Sequence, residues 1–137
     1  MSRGIGAKAI KMLEDSDTVV FEYGAYNLNE AAYRNEKHVR DGYITVLKSC
    51  FAEPEIHTKI KKFPSGKKRL ITKRIPVSVD YIQLLQEEKI KVENCSFCWK
   101  KTDDRFEVDI MACYLLSKLF KQYQEEGTIP TEIFYDV

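Results

Sequence analysis

Residues 110–120, IMACYLLSKLF, decide how the chain is to be read. They are apolar around most of a helix circumference, and such a helix is stable only when another layer of the molecule covers it. Asp104 with Glu107 three residues later makes a capping-box-like start, and Gly127 is the residue type that ends helices. Together they predict the longest helix over Arg105 to Glu125. The stretches able to cover it lie mostly upstream. Thr18 to Tyr23 (TVVFEY) is β-branched and aromatic, with Val19, Phe21 and Tyr23 on one face and Gly24 closing it. Tyr43 to Leu47 (YITVL) follows an Asp41-Gly42 turn signal. Lys67 to Ile75 (KKRLITKRI) alternates up to Pro76, which suits the end of a strand or a sheet edge. A further strand is predicted from Lys89 or Ile90 through about Trp99, and Ile133, Phe134 and Tyr135 form an edge strand in the tail.

Helices are predicted between the strands. Ile5, Ala9, Met12 and Leu13 recur at helical spacing, so residues 3–15 read as an amphipathic helix with Ser2 as its cap. AAYRNEKHVR (31–40) follows Asn27 and Asn29, either of which suits a helix cap. Glu53-Pro54 opens a short helix with Ile56 and Ile60 as its buried side, and Ser78 caps another built from Val79, Ile82, Leu84 and Leu85. The expected architecture is a single α+β domain over residues 1–137. Its mixed or antiparallel sheet of four to five strands packs against helices that include the long buried C-terminal one.

At 137 residues one hydrophobic core suffices. Arg3, Lys8 and Lys11 interrupt the apolar positions near the N-terminus, which excludes a signal-peptide core, and no apolar run is long enough to span a bilayer. Cys50, Cys95, Cys98 and Cys113 are therefore expected as reduced thiols of a cytoplasmic protein.

Charge is the clearest functional signal. Between Ile56 and Val79 fall Lys59, Lys61, Lys62, Lys67, Lys68, Arg69, Lys73 and Arg74, with no acid among them. Setting these eight aside leaves 14 of the 22 basic residues against 21 acidic ones, so the remainder is acidic by seven charges. A like-charge block repels itself and belongs on a surface that faces solvent or an anionic partner. PSGKK (64–68) is not a phosphate loop, because Lys61 stands where the first glycine of that motif belongs and Lys68 replaces its Ser or Thr. The lysines suit a phosphate backbone, with Phe63 and Tyr81 as nearby aromatics able to stack on bases or to pack in the core. Tyr26, in the polar aromatic stretch Glu22 to Asn29, is a further candidate contact.

Other constellations are weaker. Cys95-Ser96-Phe97-Cys98 lacks a second pair, and in an extended strand its thiols point to opposite faces with no Gly or Pro to turn the chain, so no metal is expected. Cys50 with His57, near Glu53 and Glu55, is conceivable as a nucleophile pair, yet nothing in the spacing requires it. No hydrolase, kinase or dinucleotide motif is present, and no catalytic residue or cofactor is expected.

YGAYNLNE (23–30), DGYITV (41–46) and EPEIHTKIKKFPSGKKRLITKR (53–74) together resemble small, uncharacterised proteins carried by bacterial mobile elements and phages. The resemblance implies non-enzymatic cargo, either immunity proteins that plug a toxin or inhibitors of defence nucleases, and it transfers no functional residue. The expectation is a small interaction protein that binds a toxin or nuclease through its basic surface, with direct nucleic-acid binding by residues 59–74 as the alternative and no membrane partner.

Overall fold

A computed structural model describes residues 4–102 and 107–136. Within them lie β1 (Ile5–Glu14), β2 (Thr18–Asn27), β3 (Gly42–Leu47), β4 (Glu55–Lys62), β5 (Lys68–Ile75), α1 (Tyr81–Gln86), β6 (Ile90–Glu93), α2 (Ile110–Glu126) and β7 (Glu132–Asp136). Five strands form one sheet in the order β6-β3-β2-β1-β7, and every neighbouring pair is antiparallel. β4 and β5 form a separate two-stranded sheet. The expected α+β class and the long C-terminal helix are both present.

Alternation along the strands sends one set of side chains toward α2. Val19, Phe21, Tyr23 and Ala25 of β2 are fully buried, with Ile44 and Val46 beside them on β3. Opposite them α2 presents Met111, Ala112, Leu115, Leu116, Leu119 and Phe120, a stripe at helical spacing, while Tyr114 and Lys121 remain outside. β1 adds only Ala7 and Ala9 to this face, and their small side chains let the helix approach the sheet. The buried Asp109 caps α2, its carboxylate accepting from the Met111 N–H at 2.9 Å, and Gly127 ends the helix at φ +76.

Five sequence expectations are corrected. Residues 5–14 are a strand, not a helix, because they pair with β2 on one side and β7 on the other. The 31–40 stretch holds only a 3-10 turn at Ala31–Tyr33, and Asn35 and His38 adopt left-handed φ values of 50 and 53 that no helix accommodates. Glu55–Lys62 is a fully exposed strand, so Ile56 and Ile60 are not buried. β6 ends at Glu93 rather than near Trp99. α2 starts at Ile110, later than expected, and Asp104 and Arg105 lie outside the described residues.

Candidate binding surface: the basic ribbon

The β4-β5 hairpin is built by local chemistry. Phe63-Pro64-Ser65-Gly66 closes it: the Gly66 N–H donates to the Phe63 carbonyl at 2.9 Å, and Gly66 takes φ +84, a conformation that glycine adopts without steric cost. Both strands pack chiefly along each other and are exposed along nearly their whole length, with Arg74 near the base reaching α2, so the hairpin is a largely bare ribbon. Its eight-residue strands span about 26 Å. The register places Ile56, Thr58, Ile60 and Lys62 on one face with Arg74, Thr72, Leu70 and Lys68. The other face carries His57, Lys59 and Lys61 with Lys73, Ile71 and Arg69.

None of the eight predicted cations forms an ion pair with a carboxylate among the described residues, and seven of them, Lys59, Lys61, Lys62, Lys67, Lys68, Arg69 and Lys73, project from the ribbon. Among the described residues the ribbon's one ion-pair contact joins His57 to Glu55 at 3.2 Å. Lys61 stands directly opposite Arg69, and Lys62 opposite Lys68, pairings that repel. Arg74 plays a different part. Its guanidinium donates to the Gln124 and Glu125 carbonyls at 3.5 and 3.2 Å, at the negative end of α2. Just beyond β5, the buried Gln124 side chain exchanges two hydrogen bonds with the Val77 backbone at 2.6 and 2.7 Å. Arg74 and Gln124 thus moor the base of the ribbon while the other cations project from it.

Lys61 lies over the ring of Phe63, its ammonium 5.8 Å from the centroid, which puts this aromatic at the tip beside the charges. Tyr81 instead packs against the core. Tyr26 sits on β2, in a concavity to which the ribbon contributes no lining residue. The exposed aliphatics Ile56, Ile60 and Leu70, 62–66% accessible, escaped the sequence reading. Their even spacing within each strand was the available signal, but an offset of four serves a helix face and a strand face alike.

The remaining candidates resolve into structure. Cys95 and Cys98 bracket a turn in which the Cys98 N–H donates to the Cys95 carbonyl at 3.2 Å. The turn needs no Gly or Pro because Asp41 accepts from both the N–H and the hydroxyl of Ser96. Both thiols consequently feel Asp109 rather than pointing to opposite faces: Cys95 Sγ donates to Oδ2 at 3.7 Å, and Cys98, whose Sγ donates to the Lys100 carbonyl at 3.8 Å, lies close enough for the same carboxyl to act on it. The Tyr23 hydroxyl donates to Asp109 Oδ2 at 2.9 Å and accepts from the Cys95 N–H. Burial raises the Asp109 carboxyl above its ordinary value. Burial, and after it the charge of Asp109, pushes Cys95 and Cys113 up to about 11 and Cys98 up to about 12, so these thiols stay protonated near neutral pH. Cys50 donates to the Lys89 carbonyl at 3.7 Å while His57 contacts Glu55, so those two share no partner. Among the described residues no group of three or more His, Cys, Asp or Glu side chains is arranged to hold a metal ion.

Among the described residues no helix is long and apolar enough to cross a membrane. No known family model matches this chain, and no curated protein or solved structure does either, so geometry alone carries the functional reading.

Proposed function

We propose that this protein is a non-enzymatic binding protein whose β4-β5 ribbon docks on a nucleic acid duplex. The observation that carries the reading is seven cations, unmatched by carboxylates among the described residues, on a bare ribbon about 26 Å long. A major groove about 12 Å wide accepts a two-stranded β-ribbon, and cations on both arms then meet the phosphates that border it. Opposed pairs such as Lys61–Arg69 and Lys62–Lys68 repel in the free protein and lose that penalty when an anion lies between them. The test is fluorescence anisotropy with labelled duplex DNA, duplex RNA and single strands at low and physiological salt. Duplex binding with a log–log salt slope of about −4 to −6 is expected, together with a loss of roughly 100-fold or more when Lys61, Lys62, Lys67 and Lys68 are all replaced by Glu. A quadruple variant that binds as well as the parent sinks the proposal.

The exposed Ile56, Ile60 and Leu70 favour a second reading, in which the partner is a toxin or defence nuclease whose acidic rim surrounds an apolar hollow. That reading accords with the mobile-element resemblance. Under it no duplex is retained near physiological salt, and an Ile60→Ala, Leu70→Ala double variant loses its protein partner.

A further inference from the structure

The concavity that holds Tyr26 lies on the sheet face turned away from α2, clear of the ribbon. It encloses about 430 Å³, within the range of small-molecule sites. Register builds its floor from two rows across β2, β1 and β7: Gly24, Lys8 and Phe134, then Tyr26, Gly6 and Asp136. Gly24 leaves room for the 35–40 loop, since a Cβ there would strike the Val39 carbonyl. The loop is pinned as a wall by the buried Asn35. Its amide donates to the Ala25 and Val39 carbonyls at 3.2 and 2.9 Å, and its oxygen accepts from the Val39 N–H at 2.8 Å. The wall is therefore preformed.

The charges around this space are unequal. The two cations Lys8 and Arg40 line it against the single acid Asp136. Arg40 is already engaged by Glu22 at 3.3 Å, on the rim. The Lys8 ammonium lies 5.0 Å from the centroid of the Phe134 ring and forms no ion pair with a carboxylate among the described residues. A cation at the centre of the floor, with the rings of Phe134 and Tyr26 beside it, complements a flat ring that carries one anionic group. We infer that this pocket binds a small aromatic anion, its carboxylate or phosphate on Lys8 and its ring against Phe134 and Tyr26. The inference is independent of the ribbon.

Benzoate and adenosine monophosphate, with benzamide and adenosine as their neutral counterparts, serve as probes in NMR titrations of the full chain. Saturable shifts at Lys8, Tyr26 and Phe134 are expected with at least one anion, and which of the two binds identifies carboxylate or phosphate as the ligand chemistry. Its neutral counterpart is expected to bind at least ten-fold more weakly. Lys8→Met keeps the aliphatic stem and removes the charge, and should weaken the anion ten-fold or more with the melting temperature unchanged. Phe134→Ala, at a half-exposed position, should weaken both members of the bound pair. The quadruple ribbon variant should bind the probe as the parent does. No saturable shift with any probe, undiminished binding by Lys8→Met, or loss of binding in the ribbon variant alone would each overturn the inference.

Discussion

β1 and β2 on one side, β4 and β5 on the other, are long antiparallel pairs, the first with one bulge between Lys11 and Leu13 and the second in unbroken register, yet they owe their order to different things. β2 places Val19, Phe21, Tyr23 and Ala25 under α2 at zero exposure. Every residue of β4 is exposed, and Ile75 is the least exposed residue of β5. Backbone pairing is common to both; only burial differs. An isolated two-stranded hairpin is at best marginal in water, so the ribbon draws its order from the mooring at Arg74 and Gln124. A moored arm free of packing can surrender its surface to a partner without unfolding the domain. Its lysines also guard two open strand edges against pairing with other chains.

That contrast can be broken by mutation. Leu116→Ala, in the covered layer, should cost about 2–5 kcal/mol in urea unfolding, whereas Ile60→Ala on the ribbon should cost under about 0.5 kcal/mol. Comparable costs at the two sites would mean that the ribbon packs on something in solution. Gln124→Ala removes both hydrogen bonds to Val77 and should cost about 1–2 kcal/mol. Its sharper readout is hydrogen exchange, where β4 and β5 should lose protection before β2; loss at the same rate throughout would refute the mooring. The subtlest effect is one of pH. Burial raises the Asp109 carboxyl above its ordinary 3.8, so the folded protein retains a proton that the unfolded chain releases. The contribution is fully present below 3.8 and is lost as pH rises through the raised value. The stability of the parent relative to Asp109→Asn should therefore fall as pH rises, and a pH-independent difference between them would refute the assignment.

Legibility followed the range of the forces involved. Gly127, the alternation in 18–23 and 43–47, and the apolar stripe of α2 act within a few residues, and each was readable. β1 was not, because Ile5, Ala9, Met12 and Leu13 fit a helical period while Ala7 and Ala9 acquire meaning only under α2. Residues 31–40 have helical composition, but the Asn35 side chain bonds two backbone carbonyls and bends the chain over β2. The Cys95–Cys98 turn depends on Asp41, more than fifty residues upstream. Of the candidate site, the basic residues were legible as a group, while the departure of Arg74 to cap α2 and the aliphatic face of Ile56, Ile60 and Leu70 were not.

Composition and local pattern alone determined an α+β chain with segregated charge, a terminal helix able to cover a sheet and a basic stretch that had to face outward, because like charges repel wherever the chain places them. Tertiary structure alone decided that this stretch is a two-stranded ribbon and that no layer covers it. A spacing of four residues suits a helix and a strand equally, and only the positions of β2, α2 and Gln124 leave the ribbon moored at its base and bare along its length.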